Sequence, residues 1–436
     1  MTTSDKDIIR RKTDNRHLLR RLCAGISSVK NNPINLLVLV IYVLVMMLMW
    51  HFRSAIWGLD NLGPFTAALE GLLGFAHLVF SMFVLIILLV SMGTPSGSRT
   101  IREAFQKVGL VNHAGEAPVL VAKRKDKKNS RLTIFEFDPC VLSLDEWEDK
   151  RARIETALNI TIAKIEWAKG RKIIRIYAVP ATNDYPALIH WQDEYLSKDS
   201  FVLVLGESLL GPVKVNLAHI PHILLGGSTG SGKSILLKLL LMQALHKGAE
   251  IFIADFKGGV DFLPIWHYKC WMCFNECDLL KMLTDLVDAL ERRKKLFLAA
   301  GCANIDEYNK TCEDHLKRWI FACDEVAEVL DRSGRSKEEK EMLSQIESKL
   351  ATIARQGRAF GIHLILATQR PDATVIPGQI RNNIDFRVCG RADNVLSQII
   401  LDNTSAADQI PKDARGRFIT GDGTVFQGYL FDETQL

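Results

Sequence analysis

Residues 221–234 read PHILLGGSTGSGKS, and the interpretation of the whole chain turns on them. Residues 222–225 have the short apolar character of a buried strand, a glycine-rich loop follows, and a helix opens at Lys233 and Ser234. Gly227, Gly232, Lys233 and Ser234 satisfy G-x-x-x-x-G-K-[ST], the phosphate-binding P-loop. The chemistry requires these residue types. Glycines let backbone N–H groups turn inward onto phosphate oxygens, and the helix N-terminus adds partial positive charge. Gly227, Ser228, Thr229, Gly230, Ser231, Gly232, Lys233 and Ser234 are the expected ATP-binding set. Lys233 is placed to reach the β- and γ-phosphates, and the Ser234 hydroxyl to ligate Mg²⁺.

Downstream, strands and helices alternate: strands at 251–255, 319–323, 362–367 and 386–389, helices at 278–298 and 338–355, and a closing hairpin at 416–430. Two or three further strands are expected between 201 and the P-loop. Such alternation predicts an α/β fold with a mostly parallel sheet covered by helices on both faces. Residues 319–325, WIFACDE, are an apolar strand ending in two carboxylates. Adjacent carboxylates at a strand tip need a compensating cation. Asp324 is the expected second Mg²⁺ residue and Glu325 the group that orients and deprotonates the attacking water. Residues 362–371, IHLILATQRP, end a third buried strand in Thr368 and Gln369, at the sheet edge where ligands gather. By position alone Gln369 is either a γ-phosphate sensor or structural. Asp255 and Lys257, in DFKGGVD, are either site residues or a local ion pair. γ-Phosphate hydrolysis gains from an arginine supplied by a neighbour, and Arg381, Arg387 and Arg391 are the candidates.

The chain has 436 residues, 48% hydrophobic and 24% charged, with net charge +5. That length predicts two or three domains, and the charge is too mild to mark a nucleic-acid binder by itself. Nine cysteines form no disulfide-like framework. Cys270, Cys273 and Cys277 lack the second C-x-x-C pair of a common structural zinc site and read as reduced thiols.

The apolar excess lies near the N-terminus. Residues 1–32 are polar and basic, and two apolar runs follow at 34–52 and 71–92. Each approaches the roughly 20 residues that span a bilayer as a helix. Trp50 and Trp57 suit the interface. Lysines and arginines precede the first run and follow the second, while the loop between holds only Arg53, near Asp60. This charge bias predicts a multi-pass hairpin (33–93) in the cell membrane with both termini cytoplasmic. A linker is expected over 94–116, then a small β-β-α-β-β domain over 117–185, with one helix at 144–158 and basic hairpin tips at 123–128 and near 169–170. The motor is expected over 196–436. The first tip is either a contact for DNA or acidic lipid headgroups or a solvated hairpin tip, and the charged stretch 332–340 is either a loop gripping a polymer's phosphates or a solvated one.

PHILLGGSTGSGKS, ADFKGGVDF, FACDEVAEVL and RQGRAFGIHLILATQRPDATVIPGQIRNN together resemble the motor of FtsK/SpoIIIE-type DNA translocases. The resemblance covers roughly 117–430. It implies a RecA-like fold, a homo-hexameric ring with ATP at subunit interfaces, and DNA in the pore. It also implies a Walker A motif at 227–234, a Walker B pair at Asp324 and Glu325, a post-strand glutamine at Gln369, and arginines at Arg387 and Arg391, the former preferred as the trans-acting finger. With two spans and little linker, the chain is most similar to the compact coupling proteins of integrative and conjugative elements, which pass relaxase-bound DNA to a mating channel. The alternatives are a chromosome-segregation translocase and a secretion-system protein-export ATPase.

Overall fold

The computed structural model describes residues 3–53, 56, 66–127, 129–183, 185–370 and 376–436. Trp57, Asp60, Lys128 and residues 371–375 of the family-like run lie outside them. The chain divides into two compact units, Met1–Asn183 and Asp184–Leu436.

The first unit begins with helix α1 (Thr3–Asn31), where the sequence reading assigned only a basic segment. Asn32 leaves helical geometry at φ −125°, and its side chain accepts the Ile34 N–H at 3.0 Å, capping α2 (Pro33–His51). Pro33 at the first helical position needs no N–H partner. Helix α3 spans Thr66–Met92. α2 and residues Leu69–Met92 of α3 are long and apolar enough to cross a bilayer and bury none of their side chains in the protein. α1 and α3 meet at glycines. A Cβ on Gly25 would fall 1.9 Å from the Leu89 carbonyl oxygen, and one on Gly93 1.9 Å from that of Arg21. Only glycine permits this backbone approach.

The stretch expected as a linker contains helix α4 (Ser98–Lys107). Its Ile101 and Phe105, one turn apart, are buried with Leu110 in the core of the small domain. Phe105 lies 5.2 Å from Phe137 and 5.4 Å from Trp147, between ring centroids. The narrow apolar stripe was hidden by the helix's polar composition. Strands β1 (Val119–Lys125), β2 (Thr133–Asp138), β3 (Ile160–Ala168) and β4 (Ile173–Pro180) form an antiparallel sheet in the order β1-β2-β4-β3. The helix expected at 144–158 is two, α5 (Leu144–Asp149) and α6 (Arg151–Leu158), separated at Lys150. Ser143 and Glu146 form a capping box at the start of α5.

The second unit is built on one large sheet. Its strands are β5 (Ile189–His190), β6 (Val202–Ser208), β7 (Gly211–Asn216), β8 (Ile223–Gly226), β9 (Glu250–Ala254), β10 (Trp271–Cys273), β11 (Trp319–Cys323), β12 (Ile362–Thr368), β13 (Phe386–Cys389), β14 (Arg417–Thr420) and β15 (Val425–Leu430). The order is β10-β9-β11-β12-β8-β13-β14-β15-β6-β7, with β5 beside β15. β10 through β13 along this path are parallel, and the pairs from β13–β14 onward to β7 are antiparallel. Helix α7 (Lys233–His246) covers one face, and α8 (Glu276–Ala300) and α9 (Lys337–Phe360) the other. Strand alternation keeps the two faces apart. Ile251, Ile253, Ile320, Ala322, Ile365 and Ala367 pack with α7, while Phe252, Ala254, Phe321, Cys323, Leu364 and Leu366 pack with α8 and α9.

Candidate nucleotide-binding site

The loop between β8 and α7 is shaped by glycines in the left-handed region, Gly230 at φ +76° and Gly232 at φ +99°. Other residues adopt that conformation at a cost. A cavity of about 200 Å³ lies against the loop, lined by Ser228, Gly230, Lys233, Ser234 and Gln369 among others. A larger cavity, about 680 Å³, is in the first unit beside His17 and Cys140.

Parallel pairing brings the ends of β8, β12, β11 and β9 to one edge, with β12 between the P-loop strand and the acidic strand. Lys233 and Asp324 meet there, each only 3% exposed. The Lys233 ammonium donates to Asp324 Oδ1 at 2.7 Å and to the Asp324 carbonyl at 2.5 Å. Ser234 Oγ lies 2.9 and 3.1 Å from the two carboxylate oxygens. Burial pushes the Asp324 carboxyl up, but the Lys233 charge, hydrogen bonds from Lys233 and Ser234, and nearby Lys257 together hold it below the ordinary range. A hydroxyl beside an ionised carboxylate is the oxygen donor pair that Mg²⁺ takes. One further carboxylate oxygen here, Asp255 Oδ2, is buried and accepts no hydrogen bond, so the residues fit the ion.

Glu325 has the opposite strand parity from Asp324 and joins a different network. Its Oε1 accepts from Thr368 Oγ1 at 2.7 Å and its Oε2 from the Gln369 N–H at 2.9 Å. The Gln369 side-chain oxygen accepts from Thr229 Oγ1 at 2.8 Å. A chain of hydrogen bonds therefore runs from the P-loop to the carboxylate assigned to water activation. Residues 140 apart in sequence make the Thr229–Gln369 contact, and no local pattern foretold it.

Arg387 and Arg391 are engaged within their own chain, whereas Arg381 Nε is buried without a hydrogen-bond partner. Arg391 donates to the carbonyls of Thr229 and Lys412, both at 2.7 Å, and its own carbonyl accepts the Ser228 N–H at 2.7 Å. It braces the P-loop from behind. Arg387 pairs with Asp402 at 2.5 Å and donates to the carbonyls of Ile384 and Arg381 at 3.0 and 3.2 Å. Lys257 lies 2.7 Å from Asp261 and 3.7 Å from Asp324 Oδ2, so Asp255–Lys257 is part of the site's surroundings rather than a closed ion pair.

Other candidates stand apart. In the 332–340 stretch Arg332 pairs with Glu347 at 2.6 Å, and Arg335 with Glu276 and Glu339 at 2.9 and 3.3 Å. Burial pushes the Cys270 and Cys273 thiols up to about 12. Among the described residues no three His, Cys, Asp or Glu side chains converge on a metal position.

A glycine loop at a helix N-terminus, with its lysine and serine on an acidic strand end across a parallel sheet, defines a P-loop NTPase. Comparison with known proteins places it more narrowly. Residues 194–373 match the model of the FtsK/SpoIIIE family. DNA translocase SftA of Bacillus subtilis is 31% identical over 230 residues, which are 50% of this chain and 23% of that protein. DNA translocase FtsK of Chlorobaculum tepidum is 31% identical over 335 residues, 66% of this chain and 40% of that one. The chain thus spans well under half the length of these curated relatives. Among solved structures, the pCW3 conjugation coupling protein TcpA, in a monomer form with ATPγS, is 36% identical with a TM-score of 0.59. The match covers 78% of this chain and 96% of that one. The chain belongs to the FtsK/SpoIIIE family.

Proposed function

We propose that this chain is a membrane-anchored, ATP-driven DNA translocase that serves as the coupling protein of a conjugation system. The observation that carries the proposal is the convergence of Lys233 and Ser234 on Asp324, with Glu325 held one residue further on. The extent of the likeness to the pCW3 coupling protein supports the conjugative role over chromosome segregation. The P-loop backbone would cradle the phosphates, and Lys233 would leave Asp324 for the β- and γ-phosphates as ATP enters. Mg²⁺, held by Ser234 and Asp324, would neutralise charge developing on the phosphate oxygens. Glu325 would leave Thr368 and the Gln369 N–H to take a proton from the attacking water. Gln369, bonded to Thr229 before ATP binds, would report phosphate arrival to Glu325.

In a homo-hexameric ring a neighbour's arginine would complete each site. Arg381, Arg387 and Arg391 are the candidates. The last two hold contacts in their own chain and must exchange them to act in trans. α2 and α3 would anchor the protein in the cell membrane with both termini cytoplasmic, and a relaxase would select the DNA. The test is phosphate release by the full chain in lipid nanodiscs, with and without DNA. Stimulation by DNA, abolished by Lys233→Ala and Glu325→Gln, is expected. Hydrolysis indifferent to DNA but raised by a secreted polypeptide would assign the motor to protein export.

A further inference from the structure

The DFKGGVD stretch is left unused by the mechanism above, yet it borders the site. β9 and β11 are parallel neighbours with Ala254 opposite Cys323, so Asp255 and Asp324 follow in register on adjacent strands. Strand parity sends both the same way. Ile251 and Ile253, like Ile320 and Ala322, pack on the α7 face, and the next residues of that parity are Asp255 and Asp324. Both carboxylates therefore lie on the side of the sheet where α7 begins with Lys233 and Ser234.

Their partners differ sharply. Asp324 is satisfied by Lys233 and Ser234. Asp255 is 3% exposed. Its Oδ1 accepts the Lys257 N–H at 3.0 Å, while Oδ2 is buried without a donor. A buried carboxylate oxygen with no partner is costly and rare in a finished core. Two neighbouring carboxylates deepen the cost unless a cation sits with them. The Lys257 ammonium is the nearby cation, held 2.7 Å from Asp261 and 3.7 Å from Asp324 Oδ2.

We propose that Asp255 is a second carboxylate of the magnesium site, beside Asp324 on the neighbouring strand, and that Lys257 supplies the compensating charge when no metal is bound. This rests on the reading of the P-loop as a Mg–ATP site and adds a residue to it. Magnesium keeps several waters when bound, so Asp255 acts by accepting hydrogen bonds from them. Such outer contacts govern metal affinity by roughly 10–100-fold. Lys257 competes with the ion for the same negative field, so the two residues have opposite effects.

The experiment measures fluorescent ATP-analogue binding to the full chain in nanodiscs, first in EDTA and then across a Mg²⁺ titration. Asp255→Asn keeps the acceptor for the Lys257 N–H and removes the charge. It is expected to raise the half-saturating Mg²⁺ concentration about tenfold, to leave binding in EDTA unchanged, and to keep the metal-free melting temperature at or above wild type. Lys257→Met is expected to lower the half-saturating concentration. Equal weakening with and without Mg²⁺, or a loss of metal-free stability in Asp255→Asn, would make Asp255 structural and overturn the proposal. Should Asp255→Asn fail to fold, an unchanged or raised Mg²⁺ requirement in Lys257→Met overturns it alone. Failure of the wild-type chain to bind nucleotide in either condition would instead refute the underlying Mg–ATP reading.

Discussion

Lys233→Ala is conventionally a test of ATP binding, but the geometry makes it first a test of stability. Without nucleotide, the Lys233 ammonium is buried on Asp324 at 2.7 Å. Removing one partner of a buried ion pair leaves an uncompensated charge and costs about 3–5 kcal/mol. Ser234 and, at 3.7 Å, Lys257 remain beside Asp324 and offset part of this, so about 3 kcal/mol is the expected loss. For a unit of this size each kcal/mol lowers the midpoint by about 2–4 °C, giving a drop of about 6–12 °C. The assay is thermal unfolding in EDTA without nucleotide, repeated in an Asp324→Asn background. There the lysine substitution no longer strands a carboxylate, and its cost should fall below about 1 kcal/mol. A Lys233→Ala protein as stable as wild type, or costs that simply add in the double variant, would refute the buried pairing.

Four further outcomes follow from the same geometry. Arg391→Ala removes two hydrogen bonds from a charged donor behind the P-loop. ATP affinity should fall roughly tenfold by calorimetry, and an unchanged value would show that the loop needs no brace. Thr368→Val frees one Glu325 oxygen and should raise DNA-independent phosphate release a few-fold, whereas a fall would show that Thr368 is needed in the hydrolysing state. His222 is fully buried, and burial pushes its pKa from the ordinary 6.5 down to about 4. The unfolded chain therefore binds the proton first as pH drops, and stability is lost from about pH 6.5 downward through pH 4. Between pH 7 and pH 5 the loss is about 2 kcal/mol by urea unfolding, and His222→Gln should remove that component. Gly25→Val places a side chain on the Leu89 carbonyl and should separate α1 from α3, read as loss of a cross-link between cysteines introduced on those helices.

Much of the second unit was legible because its signals are local. The P-loop and the WIFACDE strand announce themselves within a few residues, and so do the caps of α8 and α9, which the sequence reading did not use. Ser336 and Glu339 form a capping box, and Gly301 and Gly361 end their helices in the left-handed region. What escaped depends on partners distant in sequence. Phe105 looks like a stray aromatic in a polar linker until Phe137 and Trp147 surround it. Gly25 and Gly93 carry no periodic signal, since their role is to be absent where two backbones touch. Arg391 looked free to serve a neighbour, yet it is committed to Thr229 and Lys412. Asp255 and Asp324 are brought side by side only by strand order, which composition and spacing do not encode.

The central claim is that phosphate chemistry between the P-loop and the β11 carboxylates drives DNA along the protein. The most direct measurement is displacement of streptavidin from the biotinylated end of DNA, single- or double-stranded, by the full chain in nanodiscs supplied with ATP. The account predicts displacement that requires ATP and vanishes in Glu325→Gln although that variant still binds nucleotide. Displacement persisting in Glu325→Gln, or none from a wild-type protein that hydrolyses ATP on DNA, would contradict it.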